Sequence, residues 1–190
     1  SESLALREGL GDINGVAAVL QNLGNVYIDQ AEYDKAEEHY QRCLSIRRKT
    51  GDVANTANVL NQLGNVRLAL ADYDGAADYY EQCRDTFQRI GNQFGVAVST
   101  LNLGQIHNEK EEPDKAYEYL TEALTAAEPT KVMDLIADVH RSLARASIDA
   151  DRLEDAERFA RSALDIATDI GNKGVEGTAR WVRGRLLSSR

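Results

Sequence analysis

Residues 21–40 read QNLGNVYIDQAEYDKAEEHY, and residues 61–80 read NQLGNVRLALADYDGAADYY, so Leu23-Gly24-Asn25-Val26 returns forty residues later as Leu63-Gly64-Asn65-Val66. The same slide superposes far more than this pair. Gly11, Gly51, Gly91 and Gly171 fall into register with Lys131 in the missing slot, and Asp12, Asp52, Asn92 and Asn172 follow the glycines. Leu23, Leu63, Leu103 and Leu143 align, then Gly24, Gly64, Gly104, Ala144 and Gly184. So do Ala36, Ala76, Ala116 and Ala156, and Cys43, Cys83, Ala123 and Ala163. Register held over four copies is an internal repeat with a period of forty.

Each copy reads as two helices. Val16, Leu20, Leu23 and Tyr27 recur at three- and four-residue spacing, the stripe of an amphipathic first helix. A polar turn follows, AEYD, ADYD, EEPD and DRLE in successive copies. Its last residue, Asp34, Asp74, Asp114 or Glu154, stands where an acid caps or favours the next helix start. The second helix carries Ala36, Tyr40, Cys43 and Leu44 and stops near Gly51, suited to a left-handed C-terminal cap. At the third joint AAEPTKVMD replaces the Gly-Asp stop, and Pro129 is expected to end that second helix early by pushing the residue before it out of the helical region. A glycine inside a helix costs about 1 kcal/mol relative to alanine. Keeping Gly24 and its equivalents predicts a close approach of two antiparallel helices that a side chain would block.

The run Leu20, Leu23-Gly24, Tyr27, Ala36, Tyr40, Cys43 and its second copy Leu60, Leu63-Gly64, Ala76, Tyr80, Cys83 resemble the tetratricopeptide repeat. The third copy keeps Leu103-Gly104 and Ala116, and the fourth weakens to Leu143-Ala144 and Ala156. The usual repeat is about 34 residues and closes on proline, whereas this one closes on Gly-Asp or Gly-Asn after forty. That is similar to the longer-helix variety of kinesin light chains, cell-polarity adaptors and bacterial peptide-sensing regulators. The resemblance implies an all-α, right-handed α-solenoid of antiparallel helix pairs. Its expected divisions are residues 1–10 as the second helix of a truncated upstream repeat, then repeats at 11–50, 51–90, 91–130 and 131–170. Residues 171–190 are expected to form a capping helix, with Arg180 and Arg183 on its formerly apolar side, as terminal repeats require.

Composition narrows the function. The chain has 190 residues and a net charge of -9, which argues against nucleic-acid phosphate as the main partner. No run of about eighteen apolar residues is present and the start shows no signal peptide, so no membrane partner is expected. Two cysteines fit a reducing, cytoplasmic setting and read as small buried packing residues. His39, His107 and His140 occupy different repeat positions without a second ligand at metal spacing. The expectation is no enzyme, no metal and no cofactor.

A binding face is the better candidate. By the resemblance, the first helices line the concave face, and one stripe along each faces a ligand. The stripe comprises Gln21, Asn25, Ile28 and Asp29, then Asn58, Asn61, Asn65 and Leu68, then Val98, Leu101, Gln105 and Asn108. Asp138, Arg141 and Arg145 continue it, and Trp181 and Arg185 end it. Seven of these are amides, each offering the donor and acceptor that match a peptide bond. The expected partner is therefore a protein or peptide segment. Residues 91–130 hold two basic against seven acidic residues, and 171–190 five against one. Arg141, Arg145 and Arg185 then suit an acidic ligand segment, with a basic one over Asp29 and Glu109; alternatively the arginines pair with Asp138 and Asp149. The family's clamp for chaperone carboxyl-terminal tails needs lysine, two asparagines, lysine and arginine. Gln21, Asn25, Gln62, Val98 and Asn102 stand there instead, and one repeat on Asn61, Asn65, Asn102, Asp138 and Ser142. Both registers lack every cation, so that partner is rejected. Two other readings stay open: a sensor array within a larger regulator, and a structural module that self-associates through the open N-terminal helix.

Overall fold

The structure, a computed structural model, describes residues 2–188; the side chains of Thr178, Trp181, Arg183 and residues 185–188 lie outside that description. Among the described residues there is no strand, and the ordered elements are helices joined by tight turns. They group into two compact units, Ser1–Gly91 and Asn92–Arg190.

The first unit holds α1 (Glu2–Leu10), α2 (Ile13–Asp29), α3 (Tyr33–Thr50), α4 (Val53–Ala69) and α5 (Tyr73–Arg89). The second holds α6 (Gln93–Glu109), α7 (Pro113–Ala127), α8 (Met133–Asp149), α9 (Leu153–Ile170) and α10 (Lys173–Ser188). Within each unit consecutive helices pack as antiparallel pairs, the tetratricopeptide-type arrangement of an all-α repeat fold.

The repeated small residues make the close approach predicted for them. A Cβ built on Gly24 would lie 2.4 Å from the Tyr40 ring, and one on Gly64 would lie 2.5 Å from the Tyr80 ring. Both rings are essentially inaccessible to solvent. In the second unit the opposing residue shrinks: a Cβ on Gly104 would meet Leu120 at 2.5 Å. In the next copy Ala144 and Ala160, both fully buried, hold the same two positions. The cysteines belong to this seam, since Cys43 and Cys83 are buried and each donates its thiol to a first-helix carbonyl, of Ala17 and Ala57, at 3.2 Å.

Helix ends explain the rest of the period. Gly11, Gly51, Gly91 and Gly171 take φ of 68°, 71°, 69° and 74°, the left-handed region where a side chain is disfavoured. The acid or amide after each glycine is the N-cap of the following first helix. Asp12, Asp52 and Asn92 accept the backbone N–H of Gly15, Asn55 and Gly95, and Asn172 that of Val175. The acids at the intra-repeat turns sit differently. Asp34, Asp74, Asp114 and Glu154 lie inside the first helical turn, so they favour the helix through its dipole, and the caps stand two residues earlier. At the third joint α7 does stop early, at Ala127, but not for the conformational reason expected. Glu128, before Pro129, keeps helical angles (φ -52°, ψ -46°), and the chain tightens into a 3₁₀ turn over Glu128–Thr130. The proline ends the α-helix by lacking an N–H to donate. Lys131 then adopts φ 56° where the other joints use glycine.

Candidate functional site

The residues expected on the ligand face fall into two sets with different local chemistry. In the first unit Asn25 and Asn65 are exposed on α2 and α4, but their carboxamide oxygens are engaged. Tyr40 and Tyr80 each donate a phenolic O–H to them at 2.6 Å. Burial pushes the Tyr40 phenol up to about 12 and raises that of Tyr80 as well, so both stay protonated donors. The amide positions therefore satisfy the polar tips of the core rings and keep their N–H groups and one oxygen lone pair for other partners. Asn65 turns one of these to Gln62 at 3.1 Å, and Asn58 reaches Asn55 at 3.5 Å. Gln21 and Asn61 are half-buried on the same helices.

The second unit differs. Leu120 carries no hydroxyl for Gln105 to accept, and Gln105 instead donates to Ser142 Oγ at 3.3 Å. Arg141 folds onto Asp138, with Nε 2.7 Å from the carboxylate. Arg145 bridges from α8 to Glu109 of α6 at 3.0 Å and approaches Asp149 at 3.9 Å. Arg141 and Arg145 are thus both engaged within the chain, whereas the side chain of Arg185 lies outside the described residues. Leu101 and Asn108, expected on the open stripe, are buried at 4% and 8% exposure. Trp181 and Arg185 have side chains outside the described residues, as does Arg183 of the expected cap; Arg180 pairs with Glu176 at 2.5 Å.

Two of the expected residues, Asn108 and Arg145, meet at one cleft of about 410 Å³ within the second unit. Its other walls are Glu109, Glu111, Pro113 and Asp149. Asn108 Oδ1 is buried and has no hydrogen-bond partner. The cleft thus presents three carboxylates and one guanidinium, so its formal charge is negative, and the unpaired Oδ1 of Asn108 lies buried behind that lining. Glu111 was not anticipated, yet its backbone marks the spot: with Ala31, Ala71 and Asp151 it takes φ near 57° at equivalent turns, without glycine. Glu109 and Asp149 were legible as one repeat position, forty apart.

The histidines are dispersed. His107 bonds Glu112 at 2.7 Å and stacks on Tyr119, whereas His140 is half-buried near Phe159 and its pKa is lowered by desolvation there. Among the described residues no group of three His, Cys, Asp or Glu side chains is placed to hold a metal, and no helix is long and apolar enough to cross a membrane.

Antiparallel helix pairs recurring every forty residues define a helical-repeat scaffold. The tetratricopeptide repeat profile matches residues 1–49, 15–89 and 55–129, and the chain belongs to that family, whose helical repeats bind protein or peptide segments. No curated protein matches the chain in sequence. Among solved structures it is similar to aspartyl phosphate phosphatase F from Bacillus subtilis, with TM-score 0.86 and 10% identity over 90% of this chain and 45% of that one. It is also similar to BtubC (BKLC) from P. vanneervenii, with TM-score 0.79 and 16% identity over 98% of this chain and 86% of that one. The apo form of RapI gives TM-score 0.84 and 17% identity over 91% of this chain and 66% of that one. The chain thus spans less than half of the first of these proteins. At such identities the likeness shows the fold alone.

Proposed function

We infer that the protein is a non-enzymatic binding scaffold that holds an extended peptide segment on its first-helix face, with a basic side chain of that segment seated in the second unit's cleft. The observation that carries this reading is the unpaired Asn108 Oδ1 among Glu109, Glu111 and Asp149. A buried acceptor without a partner is costly in the free chain, and a peptide N–H, ammonium or guanidinium group in the cleft would satisfy it once the Asn108 amide turns toward that space. An acidic ligand segment is less well supported, because Arg141 and Arg145 would first have to leave Asp138 and Glu109. The scattered environments of the three histidines support the non-enzymatic part. A regulatory role inside a larger protein is compatible with the same site.

The test is a peptide array probed with the intact chain, followed by titration calorimetry of the selected peptides at low and high salt. Selected peptides are expected to carry Lys or Arg and to weaken as salt rises. Asn108→Ala should weaken binding by about 1–3 kcal/mol while leaving the melting temperature unchanged or raised, since Oδ1 bonds nothing in the free chain and its unpaired burial is relieved. Glu122→Ala on α7, outside the cleft, serves as control. Selection of peptides without basic residues, or Asn108→Ala binding as wild type, removes this reading.

A further inference from the structure

The first unit contains a second cleft, of about 370 Å³, where the C-terminal ends of α3 and α5 meet the start of α4. Arg47, Arg48 and Arg89 line it together with Asp85, over an apolar floor that includes Val53 and Leu60. We propose that it binds a small organic acid, a carboxylate carried next to a branched apolar group, either free or as the last residue of a peptide.

The charges point this way. Asp85 is already held by Arg84 at 3.3 Å, so the one carboxylate on the wall is engaged. Among the described residues Arg48 has a neutral partner, Gln82 Oε1 at 3.1 Å, and no ion pair. Arg89 makes no ion pair among the described residues. Two guanidinium groups without a counter-charge thus border one cavity, in a chain with a net charge of -9.

Arg47 is the built part of the site. It is 8% exposed, with Nη1 bonded to Asp52 at 2.6 Å. Its Nε–H is buried without an acceptor; the nearby Cys43 thiol, whose own pKa burial raises, is a weak one. The fold does not require arginine there, since Phe87, Ala127 and Ala167 hold the same position in later copies. Burying a guanidinium is costly unless its donors are satisfied. A carboxylate entering the cleft would meet the guanidinium groups of Arg48 and Arg89, with that of Arg47 behind them, groups whose planar donors suit a carboxylate, while its apolar group would cover Val53 and Leu60. The volume lies in the range of small-molecule sites.

The test is an NMR titration of the intact chain with N-acetyl-leucine, N-acetyl-leucinamide, inorganic phosphate and an acetylated tetrapeptide ending in leucine. N-Acetyl-leucine is expected to shift the Val53, Thr56 and Leu60 amides saturably, with the uncharged amide binding at least about tenfold more weakly. Arg48→Gln and Arg89→Gln, both at exposed positions, should each weaken the acid several-fold with melting temperature unchanged. Arg47→Gln should weaken it most. The tetrapeptide's affinity relative to N-acetyl-leucine assigns the site to chain termini or to free acids, and either pattern supports a carboxylate site. Three results would overturn the proposal: no saturable shift with either acid, equal binding of acid and amide, or phosphate binding as tightly as N-acetyl-leucine.

Discussion

Asn65 in the first unit and Gln105 in the second occupy one position of the repeat, one residue after a buried glycine, yet they do different work. Asn65 accepts the hydroxyl of a fully buried tyrosine at 2.6 Å, and Gln105 faces a leucine seam and makes only a 3.3 Å contact with Ser142. The difference traces to a residue on the other helix. Where the seam holds Tyr40 or Tyr80, the hydroxyl needs an acceptor and recruits the amide into the fold. Where it holds Leu120, the amide is released. A row of amides at one repeat position is therefore two structural anchors and one adaptable group, not a uniform ladder.

The largest expected effect tests the seam itself. Gly64→Val drives a branched side chain into the space of the Tyr80 ring, 2.5 Å from where Cβ would be. It should lower stability by about 3 kcal/mol, at the upper end of ordinary overpacking costs. Part of that loss should return in a Tyr80→Ala background, which opens the seam as Ala160 does opposite Ala144. Denaturant melts of the single and double variants decide it, and a Gly64→Val melt matching wild type would refute the close contact.

Next comes the hydroxyl. Asn65→Ala leaves the Tyr80 O–H buried without an acceptor and should destabilise by about 1–3 kcal/mol. In a Tyr80→Phe background the same substitution should cost little, so a double-mutant cycle should show positive coupling. Gln105→Ala in the second unit should cost less than about 1 kcal/mol, as a half-buried neutral bond. Equal costs at the two positions would erase the distinction between the units.

Backbone conformation at the joints gives a smaller effect of opposite sign. Lys131 adopts at the third joint the left-handed conformation that Gly51 and Gly91 adopt at the first unit's joints. A non-glycine residue there costs about 1 kcal/mol, so Lys131→Gly should raise stability by up to that amount, and Gly91→Ala should lower it similarly. Thermal melts measure both. A neutral Lys131→Gly would mean that the bond from the Thr130 hydroxyl to Ala127 O, at 2.6 Å, already fixes the turn.

How much of this was readable in the chain follows from the same particulars. Period, helix pairing and the glycine seam were legible because each rests on residue type at fixed spacing, and forty-residue register makes spacing visible. The early end of α7 was legible too, but its cause lay in the missing N–H of Pro129 and not in the conformation of Glu128. The left-handed turn residues Ala31, Ala71, Glu111 and Asp151 gave no signal, because the tight turn imposes φ > 0 on side chains that do not favour it. Arg141 and Arg145 were placed on the stripe by register, but their partners Asp138 and Glu109 depend on side-chain reach that periodicity does not encode. Asn108 was singled out as an exposed amide, and its interest lies in being buried.

The smallest effect separates the units by charge at their caps. The first helices of the first unit begin on Asp12 and Asp52, each with an arginine five residues upstream, Arg7 or Arg47, bonded to it. In the second unit Asn92 and Asn172 cap α6 and α10, Val132 precedes α8 without a side-chain cap bond, and the positions of those arginines hold Phe87, Ala127 and Ala167. The Asp12 carboxyl is held below its usual range by the Gly15 N–H first and then by Arg7; Asp52 is lowered by its bonds to Asn55 and, less, by Arg47. A carboxylate with a lowered folded pKa contributes stability above the ordinary carboxylate range, and that contribution is lost as pH falls through the folded value. Both groups are largely solvated, so the energetic change is small and the local signal is the better readout. On acidification from neutral pH, the amide protons of Gly15 and Asn55 should shift with a midpoint below the free aspartate value of about 3.9. Those of Gly95 and Val175, bonded to the neutral caps Asn92 and Asn172, should show no such titration. Matching titrations at all four amides would mean that the protons report a general acid transition, and the caps of the two units would then not differ in the way their sequences imply.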